Sequence, residues 1–311
     1  MYLGLRFSNN LSWKAHINDI AIKARKKLNL MLPLKMKVDR KSLEIMYTSF
    51  VQPSMEYASV VWGGAYDCDI LKLETIHIDA MRLVTGATAR SNIANVTTEY
   101  NGVTVTSRIE KATTIILFKI ITGRAPSYLT DILIDLNRPR NYMLRNNLDI
   151  KVPFCRLESY KRSFFPRSIR LWNDLDSPII CAESVESFKQ QLKDEEQELQ
   201  VLYYYGQRWP SVHHARMRMG CSKLNYDLHF NLHVVDRPNC ACGAELETAD
   251  HFLLYCPIFT GIRQTMLANI PGAIPINCQN LLFGNIIFDI ATNVQMFMAV
   301  HQYIIESNRF S

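Results

Sequence analysis

Nowhere in the 311 residues is there a run of about 18 apolar side chains, which excludes a helix built to span a bilayer. The chain also lacks an Asp-Asp pair, a phosphate-cradling glycine loop and any recognisable nucleophile motif, so it does not read as a self-sufficient enzyme. Cysteine is sparse: there are 8, against the denser usage of short secreted disulfide scaffolds, and this points to a reducing, intracellular compartment, nuclear or cytoplasmic. No internal repeat or low-complexity tract stands out. The opening residues have neither the charged region nor the apolar core of a secretory signal. They read instead like the middle of a domain, and the chain is expected to be a fragment of a longer product.

What is present is ordinary globular composition, 48% hydrophobic and 21% charged. The net charge of +6 weakly favours an anionic partner. Residues 2–7 are expected to form a short strand, followed by a Ser8-Asn9-Asn10 turn. Ile17, Ile20, Ala21, Ala24, Leu28, Met31 and Leu32 then recur at helical spacing. Asp39 is placed to cap a second helix, and a third is expected over about 67–84. Residues 86–107 read as irregular, 107–122 as helical with Gly123 beyond, and 280–306 as a closing helix. Ser184 is placed to cap an acidic helix through about Leu199. The expected fold is mainly α, with a short N-terminal β segment and a small C-terminal knob. Three regions are expected: a helical region 1–136, a basic arm with an acidic helix 137–205, and a C-terminal region 206–311.

The knob is defined by Cys240-x-Cys242, His251 and Cys256, three thiols and an imidazole within 17 residues. That donor set suits a structural, tetrahedral zinc ion. Gly243 would help the first pair grip from a tight turn. The Cys-x-Cys spacing is shorter than the usual two to four intervening residues, and His229 and His233 are alternative ligands. A catalytic zinc is disfavoured because no partner for an open coordination position stands out. A knob this small would have little core of its own, so the metal would supply much of its folding free energy. The competing reading is a set of buried thiols beside a surface histidine.

Basic residues crowd residues 1–41, where the acids are Asp19 and Asp39 alone. Lys23, Lys26 and Lys27 lie opposite the apolar stripe, where they could contact phosphates and release counterions. Arg216 and Arg218, just upstream of the knob, would extend that surface. Residues 138–170 mix arginines with Tyr142, Tyr160, Phe164 and Phe165, a combination suited to single strands or RNA, or equally to an arm packed on the protein. His213-His214 is expected to be structural, since adjacent side chains rarely converge on one ion. Trp62, Trp172 and Trp209 are expected to anchor core.

Several stretches, taken in order, resemble a known family. They are Tyr2-Leu3-Gly4, Leu11-Ser12-Trp13-Lys14-x-His16-Ile17, Pro53-x-x-Glu56-Tyr57-Ala58, Arg82-Leu83-Val84-Thr85-Gly86, Ser163-Phe164-Phe165-Pro166 with Trp172-Asn173, and the Cys/His cluster with Arg263. Together these resemble the reverse transcriptases of non-LTR, LINE-type retrotransposons, from just after the catalytic palm to the C-terminal cysteine/histidine motif. The resemblance implies a thumb-like helical bundle that holds template and primer, and a zinc-knuckle-like tail that binds RNA or target DNA. It implies RNA or DNA as partner, no membrane, and the rest of a reverse transcriptase as a further partner. The palm aspartates that hold two metal ions for nucleotidyl transfer have no counterpart here, so polymerase activity is not expected of this chain. A rival reading is a helical protein-interaction scaffold, co-opted or decayed, with no nucleic-acid role.

Overall fold

The structure is a computed structural model that describes residues 2–136, 150–193, 198–272 and 274–311. The chain is mainly helical. The longer helices are α1 (Lys14–Met31), α2 (Arg40–Met46), α3 (Asp67–Thr85), α4 (Ile93–Tyr100), α5 (Val105–Ile121) and α6 (Ser127–Leu136). They continue with α7 (Phe164–Asn173), α8 (Val185–Gln191), α9 (Arg208–Arg218), α10 (Thr260–Ala268), α11 (Cys278–Phe283) and α12 (Ile290–Glu306). Among the described residues no helix is long and apolar enough to cross a membrane.

The expected N-terminal β segment is not there. Tyr2 and Leu5 exchange two backbone hydrogen bonds, of 2.9 and 2.8 Å, across a tight turn. Leu3 (φ 45°) and Gly4 (φ 81°) are left-handed, so the pairing closes on itself, and among the described residues no second strand joins it.

Two compact units form, each assembled from separated stretches of sequence. The first takes residues 1–26, 52–77 and 103–195. Its core sets α5 against α7, with Leu117, Phe118, Ile169, Trp172 and Phe188 buried. Phe118 and Phe188 stack with centroids 4.3 Å apart. Asn173 clamps the chain entering this core, donating to Ile150 O (2.8 Å) and accepting from its N–H (3.0 Å). Ser184 caps α8 as expected, accepting from Ser187 N, but the helix stops at Gln191. Asp194, Glu195 and Glu196, expected to extend it, lie outside the described residues, as do Arg138, Arg140, Tyr142 and Arg145 of the expected basic arm.

The second unit takes residues 27–51, 78–102 and 196–311. Asp39 caps α2 through Ser42 N at 2.9 Å. The region expected to be irregular contains α4, started by the Asn92 side chain on Ala94 N and ended by left-handed Asn101 (φ 55°). Its Thr97 and Thr98 hydroxyls bond back to carbonyls one turn earlier, which satisfies the polar groups that made the segment look loop-like. The core of this unit runs from Leu202 through Phe252, Leu253, Met296 and Val300 to Phe310.

A candidate metal centre in the second unit

The chain reaches the cysteines through an irregular stretch and reverses in a five-residue turn. Gly243 N donates to Cys240 O and Cys240 N to Ala244 O, both at 3.0 Å. Gly243 sits at φ 96°, a backbone state that strains any residue with a Cβ. The turn therefore presents both thiols although only Ala241 separates them. The other two donors come from one widened helical turn, His251–Tyr255. Thr248 starts it by accepting from His251 N at 3.0 Å, and Cys256 N closes it on His251 O at 2.8 Å.

Cys240 Sγ lies 3.7 Å from Cys256 Sγ, and Cys242 Sγ lies 3.3 Å from His251 Nε2. All four ligand atoms fall within 4.8 Å of one another. A tetrahedral ion with metal–sulfur bonds of ~2.3 Å and metal–nitrogen bonds of ~2.0 Å needs sulfur–sulfur edges of ~3.8 Å and sulfur–nitrogen edges of ~3.5 Å. The four side chains could thus hold a metal ion with little adjustment. His229 and His233 are not part of the group: their Nδ1 atoms face Val235 O and His229 O.

The electrostatics agree. Burial first, and then the adjacent thiols, push the Cys240 thiol up. Cys242 is shifted down, chiefly by the Ala244 N–H donating to it. Converging thiolates repel one another until a cation neutralises them, so a metal ion would release protons as it binds.

The supports are built in as well. Arg263 is buried and donates to Leu253 O (3.0 Å) and to Cys256 O, tying α10 to the ligand turn. Glu247, 2% exposed, accepts from Arg309 Nε (2.6 Å) and Nη2 (2.5 Å) and from Asn225 N (2.8 Å). Its Oε1 stands 4.0 Å from Cys240 Sγ. Residues around a metal ligand fix its orientation and tune its charge, and Arg309 offsets the carboxylate that Glu247 brings near the sulfur.

Phe252 and Leu253, between the ligands, are fully buried in the core of the unit. Phe252 packs on Phe259, Tyr303 and Phe310, and Tyr303 Oη donates to its carbonyl. The expectation of a knob with little core of its own is thereby corrected: the ligand turn is one wall of a large core.

The basic residues singled out in the sequence fare differently from one another. Lys23 and Lys26 are exposed on α1. Lys27 donates to Phe50 O at 2.9 Å and lies over the Phe50 ring at 4.6 Å. Arg218 is buried and forms a two-pronged pair with Glu99, both contacts 2.8 Å, while Arg40 approaches the same carboxylate at 2.6 Å. Arg218 is accordingly turned inward. Arg216 is half-buried and donates Nε to Gly86 O at 2.9 Å. The spacing of Arg216 and Arg218 held a signal, since residues two apart on a helix point about 200° apart. His213 and His214 are both buried, consistent with structural roles. Glu247, Arg309 and Arg263 were not identified from sequence as supports, because the first two meet across 62 residues.

No family model, curated protein or solved structure matches the chain.

Proposed function

We propose that this chain is a nucleic-acid-binding C-terminal portion of a retrotransposon-derived reverse transcriptase, without the catalytic palm, and that its Cys/His centre holds a structural zinc ion. The observation that carries the reading is the convergence of Cys240, Cys242, His251 and Cys256, whose ligand atoms lie within 4.8 Å of one another. Three sulfurs and one imidazole nitrogen favour zinc over the hard, oxygen-seeking cations. A structural role fits because four protein donors complete the tetrahedron and leave no position for substrate.

The exposed Lys23 and Lys26 on α1 support contact with a phosphate backbone, with Lys27 beside them on the same helix. Arg218 drops out of the contacting set, since its charge is spent on Glu99. RNA or DNA is the proposed partner, bound with strong salt dependence and weak sequence preference.

The test has two arms. Mass spectrometry of the intact chain under native conditions should show about one zinc per chain, lost in Cys242→Ser. Filter binding to single-stranded RNA and DNA should weaken with rising salt, and Lys23→Glu with Lys26→Glu should cost about tenfold or more at low salt. Zinc without salt-dependent binding would sink the nucleic-acid reading and leave the interaction scaffold in its place. Binding without zinc would sink the metal assignment.

A further inference from the structure

In the second unit, four cations gather on the loop that leaves the C-terminal end of α3. Arg208 donates Nη2 to Leu83 O (3.0 Å), Nη1 to Val84 O (2.8 Å) and Nε to Lys35 O (2.9 Å). Arg216 Nε takes Gly86 O at 2.9 Å, and Lys35 Nζ takes the next carbonyl, Ala87 O, at 2.7 Å. Arg82 reaches Ser91 O at 3.4 Å. Capping explains part of this, because the last carbonyls of a helix have no partners within it and its C-terminus attracts positive charge.

Capping does not explain the charge. Asp79 pairs Arg82 at 3.3 Å, and Asp39 offsets part of the charge on Arg208. Among the described residues no carboxylate bonds to Lys35 or Arg216. The Cys221 thiol near both is held neutral by burial. Lys35 is driven down to about 8, by burial first and then by Arg216 and Arg208. Arg216 is likewise lowered by burial.

Capping does not use all the donors either. Among the described residues Arg216 bonds through Nε and through neither terminal nitrogen, and Lys35 through one of its three N–H groups. The Nε of Arg82 is buried with no hydrogen-bond partner among the described residues. Two half-buried cations on consecutive carbonyls, with donors to spare and no bonded carboxylate among the described residues, are costly unless an anion joins them. A forked guanidinium beside an ammonium matches the tetrahedral oxygens of a phosphoryl group.

We infer that Lys35 and Arg216, backed by Arg208 and Arg82, form a binding site for a phosphate group at the loop following α3. The phosphate is either a free phosphate or phosphomonoester, or a backbone phosphate of a nucleic acid. The site stands whether or not the chain binds nucleic acid through the lysines of α1.

Thermal unfolding of the full chain at pH 7 tests it, comparing inorganic phosphate and pyrophosphate with sodium chloride at matched ionic strength. Phosphate or pyrophosphate at about tenfold over its dissociation constant should raise Tm by about 3 °C beyond chloride. Lys35→Met and Arg216→Gln should each weaken that effect about tenfold. Should a variant fail to fold, side-chain lysine NMR on the wild type reads the same site. One ammonium titrating near 8 should move upward toward the ordinary lysine value of 10.5 when phosphate is added. A short single-stranded oligonucleotide that displaces phosphate from that lysine identifies the source as a nucleic-acid backbone; phosphate held against it identifies a free phosphate. No rise in Tm beyond chloride, an equal rise in both variants, or a lysine resonance indifferent to phosphate would each overturn the site.

Discussion

Replacing Glu99 by glutamine should destabilise the second unit more than any surface charge change. Glu99 is 3% exposed at its side chain and lies between Arg40 (4%) and Arg218 (2%). Arg218 spans both carboxylate oxygens at 2.8 Å, and Arg40 adds Nη1 on Oε1 at 2.6 Å and Nη2 on the Glu99 carbonyl at 2.5 Å. Tyr203 covers the Arg218 guanidinium at 3.9 Å. Glutamine keeps the size but leaves two buried cations with no anion between them and turns a donor toward a donor. Removing one partner of a buried pair costs about 3–5 kcal/mol, a large part of a typical stability of about 5–15 kcal/mol.

Urea unfolding followed by circular dichroism reads this directly, as a fall of about 1–2 M in midpoint for an m-value of about 2–3 kcal/mol/M. Adding Arg218→Met to Glu99→Gln should recover part of the loss, because one buried cation then remains instead of two. A Glu99→Gln midpoint within about 0.3 M of wild type, or losses that simply add, would show that the triad is not a buried ion cluster and that Arg218 is free to act elsewhere. The same carboxylate sets an acid limit. Burial alone would raise Glu99, but the charges and hydrogen bonds of Arg218 and then Arg40 carry it below its ordinary 4.5. Its contribution is therefore present above that value and is lost as pH falls below it.

Two other perturbations follow from the second unit. Gly243→Ala meets no atom within 4 Å, so its cost is backbone strain at φ 96°, about 1–2 kcal/mol; chelator competition should show metal held about tenfold more weakly, and an unchanged affinity would mean the turn does not set the site. His214 donates Nε2–H to Leu281 O (2.9 Å), so its Nδ1 accepts from His301 Nε2–H (3.2 Å), and both rings are buried and neutral. Burial, with Arg218, lowers His301 from 6.5 to about 4, and burial, with Arg216, lowers His213 to about 4. The unfolded chain takes up these protons first, so stability should be complete above pH 6.5 and fall between 6.5 and 4, by up to about 3 kcal/mol per histidine. His301→Gln, which keeps a donor for His214 but cannot titrate, should flatten that fall in pH-dependent unfolding; an unchanged slope would assign the protons elsewhere.

What could be read in advance was what is local. Cys240, Cys242, His251 and Cys256 were visible because all four donors come from 17 consecutive residues. The Asp39 and Ser184 caps were visible because each bonds a backbone N–H three residues on. The strand expected over residues 2–7 is a tight turn at Leu3 and Gly4, because a short apolar stretch makes a strand only where a second strand pairs with it, and none does among the described residues. The ligand turn has more core than expected because Phe252 looks the same in sequence whether it packs on its neighbours or, as here, also on Tyr303 and Phe310. Charge is the hardest to place from sequence. Arg216 and Arg218 stand two apart on one helix, equally basic, yet Glu99, 119 residues from Arg218, neutralises one of them. The other lies on Gly86 O beside Lys35, where no carboxylate bonds either cation among the described residues. An arginine's availability to a phosphate is decided by the acid that folds against it. A run of basic residues therefore marks where charge enters the fold, and the distribution of acids such as Glu99 marks where it remains to be met.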